Sequence, residues 1–356
     1  MRIAIIGSRG VPARYGGFET LADRLSLYLV ERGHSVTIVG ENHAGSHTDS
    51  RRNLRCTLFS KRRFPVLFYF ESVLRTLIGF EAVIILGVGG GPFQWLFHLT
   101  RVRVVTNVDG LEHLRDKYSA LQKSYVRWSQ YFAKKFSDQL VADAAAVEEY
   151  WIKTIRADQH RITVITYGTD IARIADDQLL KKFGLEKKNY YLLIARIVPE
   201  NNIKMIVDSF LTADSLRKLV IVGNWQDSAY GREIRKWDDE RLCLFDPVYD
   251  EEVVVALRRH SFAYLHGHSV GGTNPTLVEA LGCGCITICF DNPFNRATTH
   301  GFGYFFHDKK SLKQEIEKVE VLSAAAIAEL EMQSWLLAER VYDWRIIGNA
   351  YEKLLC

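Results

Sequence analysis

The chain has 356 residues, 47% of them hydrophobic and 25% charged, with a formal net charge of +4. That length exceeds one ordinary core and suits two domains of roughly 150 to 180 residues. The mild charge calls for no nucleic-acid partner, six cysteines in so long a chain make no disulfide scaffold, and no apolar run is long enough to cross a bilayer.

The first segment, "MRIAIIG", reads as a buried strand, followed by a loop bearing Gly7, Gly10, Gly16 and Gly17. "FETLADRLSLYLVERG" then spaces Leu21, Leu25 and Leu29 as one helix stripe ended by Gly33, and "HSVTIVG" returns as a strand. This strand–loop–helix–strand unit opens a parallel, helix-covered sheet. Further strands fit "LRCTLF", "EAVIILG", "VRVVTNV", "DQLVAD" and "RITVITYG". Residues 168–188 are polar, lose the alternation and read as an inter-domain hinge. The same pattern restarts with "YYLLIAR", a helix presenting Ile203, Ile206, Val207 and Phe210, then strands "KLVIVGN", "LCLFD", "FAYLHG" and "CITICF". The expected architecture is α/β, with two doubly wound domains (1–168 and 169–335) facing a cleft and a C-terminal helix, 336–356, packing back on the first. Ligands of such sheets sit at the carboxyl ends of the strands. Cys285 and Cys289 bracket an apolar strand with no Cys/His pair nearby, so they and Cys283 read as buried thiols and no metal site is expected. Reduced thiols and the lack of a signal peptide predict a cytoplasmic protein.

The stretch "HGHSVGGTNPTLVEALGCG" carries the chemistry. Asn274 suits an N-cap and Pro275 a first helical position, while Gly271 and Gly272 permit close backbone approach. Free amides at a helix start favour an anion such as phosphate. Glu279 shares a face with Thr276 and leans toward the helix start, where it would accept hydroxyl hydrogen bonds from a ribose; on this stretch alone a solvated helix face explains it equally well. Arg196, at the end of the first strand of this half, has the forked geometry that clamps a diphosphate. His266 and His268 flank Gly267 at a strand end and are candidates for phosphate or sugar contact.

Four motifs, "IIGSRGVPARYGGFETLADRL", "VDGLEHLRDKY", "ARIVPENNI" and the stretch above, make the chain resemble the GT-B glycosyltransferases, in particular the retaining family 4 group and its bacterial polysaccharide rhamnosyltransferases. The resemblance covers nearly the whole chain. It implies transfer of a sugar, first of all L-rhamnose from dTDP-rhamnose, to a saccharide acceptor, with retention, no metal and no cofactor beyond the nucleotide-sugar co-substrate. Carried over by motif, Gly16 and Gly17 would lie beside the donor phosphates and Arg196 would bind the diphosphate. Gly272, Thr273 and Asn274 would supply amides, and Glu279 would hold the ribose. Tyr15, Phe18 and Glu19 would face the sugar or acceptor. The chain departs from the family pattern in three places. Gly271 stands where an acid is common, Asn202 where a basic residue is expected, and Asp109, with Glu112 and His113 behind it, where many relatives have a histidine. These three are the candidate catalytic residues, Asp109 orienting the acceptor or supporting the cation; a plain turn in "DG" is the bland account of Asp109.

"SKRRFPVLFYFESVLR" sets Lys61, Arg62 and Arg63 against Phe64, Phe68, Tyr69 and Phe70. "KSYVRWSQYFAKK" mixes Lys123, Arg127, Lys134 and Lys135 with Tyr125, Trp128, Tyr131 and Phe132. Basic heads on aromatic bodies suit an anionic membrane surface, which predicts a peripheral enzyme on the inner face of the cell membrane using a polyprenyl-diphosphate-linked saccharide; half-buried helices with solvated charges are the alternative. Among rival functions, a nicotinamide oxidoreductase would use Glu41 after the second strand but lacks GxGxxG spacing. A sugar-nucleotide epimerase of the same fold and a non-catalytic nucleotide-sugar-binding protein remain as alternatives.

Overall fold

The computed structural model describes residues 1–11, 16–41, 51–108, 110, 119–226, 229–270 and 272–356. The chain divides into two compact units, one made of Met1–Tyr167 with Trp344–Cys356 and the other of Gly168–Asp343.

The first unit holds β1 (Arg2–Ile6), β2 (Ser35–Gly40), β3 (Arg52–Cys56), β4 (Ala82–Leu86), β5 (Arg103–Asn107), β6 (Gln139–Ala142) and β7 (Ile162–Val164). They pair in the order β3-β2-β1-β4-β5-β6-β7, all parallel, with Ile5 opposite Ile38 on one side and Ile84 on the other. Runs rich in Val and Ile form these strands because both sheet faces are covered. Ile3 and Ile5 meet the Leu21, Leu25 and Leu29 stripe of α1 (Gly17–Glu31). Ala4 and Ile6 face the other way, toward α2 (Pro65–Leu74) and the 3-10 helix Val88–Leu99. α3 (Ala120–Phe136) and α4 (Ala145–Lys153) complete that side.

The second unit repeats the plan with β8 (Tyr190–Ile194), β9 (Lys218–Val222), β10 (Leu242–Phe245), β11 (Ala263–His266), β12 (Thr287–Phe290) and β13 (Tyr304–Phe306) in the order β10-β9-β8-β11-β12-β13. Its helices are α5 (Ile203–Thr212), α6 (Ala229–Ile234), α7 (Glu251–Arg259), α8 (Pro275–Gly282), α9 (Pro293–Thr298), α10 (Lys309–Glu320) and α11 (Ala324–Val341). In both sheets the winding direction reverses beside the first strand, between β1 and β4 and between β8 and β11. At such a point the loops leaving the two strands part and open a crevice.

Three expectations need correcting. The segment 168–188 is no bare hinge: Leu180 and Leu185 are buried in the second unit, around the 3-10 helix Asp177–Phe183. The third strand lies at Arg52–Cys56, a little ahead of "LRCTLF", because pairing with β2 sets Leu54 opposite Ile38. The C-terminal segment 336–356 is two helices. Leu337 and Ala338 of α11 pack on Val278 and Leu281 of α8, and the Tyr342 hydroxyl donates to the Thr298 carbonyl at 2.7 Å, which holds this part in the second unit.

Only α12 (Trp344–Leu354) belongs to the first unit, where Ile347 and Tyr351 are buried beside α1. The approach is close, since a Cβ on Gly348 would lie 2.4 Å from the Tyr28 ring. Asn107 at the end of β5 donates to the Tyr351 hydroxyl at 2.7 Å, and Glu352 accepts from His34 at 2.9 Å and from Arg32 at 3.1 Å. The His34 hydrogen bond, against a smaller cost of burial, holds the Glu352 carboxyl below its ordinary range. Tyr351→Ala removes a wholly buried ring and its hydrogen bond; we expect the first unit to lose about 3–5 kcal/mol in denaturant unfolding, with the second unit's transition unmoved.

Candidate functional site

In the second unit the switch point is built from the exits of β8 and β11, paired through Leu192 and Tyr264. The chain leaving β11 is pinned at three successive residues. Asn202 donates its side-chain amide to the Gly267 carbonyl at 2.8 Å. Asn292 and Asn295 donate to the His268 carbonyl at 2.8 and 2.9 Å. Ser269 donates its backbone N–H and its hydroxyl to the Glu200 carbonyl at 3.0 and 2.8 Å. Gly267 is required here: a Cβ would lie 2.1 Å from the Asn201 carbonyl oxygen. The loops after β8 and β11 therefore form one rigid platform.

Arg196 leaves β8 on this platform, exposed and with no ion pair among the described residues. Asn202, expected beside the diphosphate, is a strut: it adopts φ 53°, which Asn tolerates, and spends its amide on Gly267. Asn274 caps α8 as predicted, its Oδ1 accepting from the Thr276 N–H at 3.0 Å and the Thr276 hydroxyl at 2.8 Å. The N–H groups of Leu277 and Val278 already reach the Asn274 carbonyl. Amides for an anion thus come from the loop ahead of the helix, where Gly272 and Asn274 keep N–H groups with no partner among the described residues; Thr273 is buried between them.

Glu279 is neither a solvated face nor a free carboxylate. Its Oε2 accepts a hydrogen bond from Arg258 of α7, whose side chain is 5% exposed against 30% for Glu279. Burial draws the Arg258 guanidinium down, but the facing Glu279 carboxylate and nearby Tyr264 and cysteines leave it above its ordinary value, so the charge persists. Glu279 Oε1 keeps no partner among the described residues. Sequence reasoning missed Arg258, because "LRRH" at a helix end reads as cations answering the helix dipole.

His266 is buried at the end of β11 and stacks on His268 with centroids 4.4 Å apart and planes 12° from parallel. Its Nε2 finds no partner among the described residues. Burial, and then the neighbouring His268, push its pKa well below the ordinary value, so the ring is neutral. Cys283, Cys285 and Cys289 are buried thiols, and burial pushes Cys285 up to about 11 and Cys289 to about 12.

The switch point of the first unit is crowded. Gly7 has φ 98°, and a Cβ there would lie 2.2 Å from the Leu86 carbonyl oxygen. Gly16 (φ 116°) and Gly17 begin α1. Glu19 is nearly buried and turns back on its own loop, accepting from the Arg9 N–H at 3.2 Å; its Oε2 fills the space a Gly16 side chain would need. It holds the loop rather than facing outward. Phe18 lies near the exit of β4, its ring close to Gly87. Lys61 belongs here and not to an outer basic patch: its ammonium reaches the Gly7 carbonyl and sits 5.0 Å from the Phe18 ring and 5.6 Å from Tyr69. Glu41, the acid a nicotinamide site would use, holds the Lys61 N–H at 2.7 Å. Tyr15, Asp109, Glu112, His113 and Gly271 lie outside the described residues.

Residues 15–173 match the family described as Glycosyltransferase Family 4, and residues 176–327 match Glycosyl transferases group 1. No curated protein matches the chain by sequence. Among solved structures, the sucrose-phosphate synthase of Thermosynechococcus elongatus is similar at TM-score 0.81 and 14% identity, over 99% of this chain and 98% of that one. A glycosyltransferase from Rickettsia africae ESF-5 matches at 0.78 and 13%, over 99% and 97%. Anabaena HepE in complex with UDP-glucose matches at 0.76 and 13%, over 100% and 99%.

Two predictions follow from the site's electrostatics. Glu279→Ala strands a buried guanidinium and should cost about 3–5 kcal/mol, whereas Arg258→Met should cost less, because the part-exposed carboxylate turns to water. Combining the two recovers most of the loss in a double-mutant cycle of urea midpoints. Separately, the His266 ring should show no imidazolium signal by NMR between pH 8 and 5. Because the unfolded histidine takes up a proton near its ordinary 6.5 and the folded one refuses it, stability should fall as pH drops below that value, by up to about 1.4 kcal/mol per unit.

Proposed function

Because the chain is a GT-B glycosyltransferase, carrying both family domains in order, we propose that its second unit binds a nucleoside-diphosphate sugar at the β8/β11 switch point and that the sugar passes to a saccharide acceptor. The observation that carries this reading is the exposed Arg196, with no ion pair among the described residues, on the same platform as the loop amides ahead of α8, with Glu279 behind them. Leaving-group charge develops on the diphosphate as the glycosidic bond breaks, and pre-placed donors stabilise it without reorganising. Arg196 and the N–H groups of Gly272 and Asn274 supply such donors. Glu279 Oε1 accepts a ribose hydroxyl while Arg258 keeps Oε2 and holds the carboxylate in place. His266 and His268 stack under the strand exit, and a neutral His266 leaves the anion's charge to Arg196.

The donor we favour is dTDP-L-rhamnose, on the resemblance of the motifs to rhamnosyltransferases, transferred with retention and without a metal to an acceptor carried on a polyprenyl diphosphate, in the cytoplasm. HepE, of similar fold, is known with UDP and with UDP-glucose, which makes UDP-glucose the donor to test beside it. Asp109, Glu112 and His113 are the residues proposed to meet the acceptor and the developing cation.

Calorimetric titration with UDP, dTDP, UDP-glucose, dTDP-rhamnose and NAD separates these readings. One nucleotide family should bind, and Arg196→Ala should weaken it at least about tenfold, the worth of a charged hydrogen-bonded contact. Glu279→Gln, which keeps an acceptor for Arg258 but not its counter-charge, should weaken it about three- to tenfold, with a melting temperature lowered less than in Glu279→Ala. Wild-type affinity in the Arg196→Ala protein would move the donor site elsewhere. Turnover of the donor only when acceptor is added distinguishes transfer from epimerisation.

A further inference from the structure

The outer side of the α2, 3-10 and α3 layer in the first unit is apolar and basic where a protein surface is ordinarily mixed. On α2, Leu67, Phe70 and Leu74 are 42%, 38% and 47% exposed, while Phe68, Tyr69 and Val73 fill the core below them. On α3, Leu121, Trp128 and Tyr131 form one stripe, 84%, 56% and 52% exposed, and in the 3-10 helix between them Trp95 and Leu99 are 45% and 74% exposed.

These elements make one surface. The Phe70 ring lies 5.1 Å from Phe93, and the Tyr125 hydroxyl donates to the Gly89 carbonyl at 2.8 Å. The chain at Ser129 runs so near Gly91 that a Cβ there would lie 2.2 Å from the Ser129 carbonyl oxygen.

Charge on these segments is one-sided. Residues 57–79, 88–101 and 119–136 hold nine lysines and arginines and one carboxylate, Glu71. That carboxylate is spent on the Leu58 N–H and on Arg75. Several cations lie over the aromatic bodies of the same surface: Arg63 over Phe64 at 5.4 Å, Lys134 over Tyr131 at 5.2 Å and Lys135 over Phe136 at 5.2 Å.

We propose that this face lies on an anionic lipid bilayer, with α2 and α3 in the plane of the headgroups. Apolar side chains enter the acyl boundary, and the long cations stay at headgroup level with the lipid phosphates. A ten-residue α2 spans about 15 Å, too short to cross and suited to lying flat. A second copy of this chain is a poor occupant, because a two-fold interface would set the exposed cations, Arg62, Arg63, Arg127 and Lys135 among them, against themselves. Nucleic acid is a poor one too, since it would stack on the aromatic rings but leave Leu67, Leu74, Leu99 and Leu121 against water or phosphate, whereas an acyl boundary takes in both. Lys61, Phe68 and Tyr69, which the sequence grouped with this patch, take no part, being turned into the first unit's core and switch point.

The test is flotation of the full-length protein with vesicles of phosphatidylcholine alone or with about 30% phosphatidylglycerol. The protein should float with the anionic vesicles and stay in solution with the neutral ones. Trp128→Ser with Phe70→Ser should lower the partition coefficient about tenfold or more, and Arg127→Glu with Lys135→Glu, both exposed, about fivefold per charge. Circular dichroism and nucleotide titration on the same samples should match wild type, so loss of lipid binding reads separately from loss of the fold or of the donor site. No flotation with anionic vesicles, or flotation indifferent to both pairs of substitutions, overturns the proposal. So does a dimer on size-exclusion chromatography that those substitutions dissociate.

Discussion

A buried guanidinium cannot be left alone. Arg258 reaches into the core of the second unit from α7, and water is too far away to carry its charge, so a carboxylate must come to it. Glu279 does, from the first turns of α8, and the pair ties together two helices on one side of the sheet. The register of α8 then follows, and with it the place where its capping Asn274 and the preceding loop emerge beside β11. A residue that reads in isolation as a ligand contact is thus a structural necessity through one oxygen, Oε2, while Oε1 keeps no partner among the described residues.

The same economy runs through the platform at the β8/β11 exit. Asn202, Asn292 and Asn295 spend their amides on the Gly267 and His268 carbonyls, and Ser269 reaches the Glu200 carbonyl, so that a segment bent away from its sheet keeps its backbone groups satisfied. The Arg196 side chain stands out on this platform as an exposed cation with no ion pair among the described residues. In the first unit the opposite holds: Glu19, Glu41 and Lys61 are consumed in holding the loops at the β1/β4 exit.

The strands and their winding were legible because both sheets are covered on both faces, so apolar runs had to be strands bounded by glycine turns. Asn274 and Pro275 announced their helix through local backbone chemistry alone. Side-chain destinations were not legible. Lys61 and its neighbours Arg62 and Arg63 look alike in sequence, yet the first turns inward and the other two stay exposed. The inward turn depends on the Gly7 carbonyl, which lies over fifty residues away along the chain.

What the sequence determined by itself is a pair of parallel α/β units and a glycine loop opening a capped helix, because each rests on hydrophobic periodicity or on dihedral preferences within a few residues. The tertiary structure decided which polar groups are used up. It assigned Asn202 to a strut, Glu19 to its own loop, Glu279 to Arg258, and the segment after 343 to the first unit. The physical reason is common to all four. A hydrogen bond or ion pair is satisfied by whatever the fold brings near, and that neighbour is set by strand order and helix packing, which local sequence does not contain.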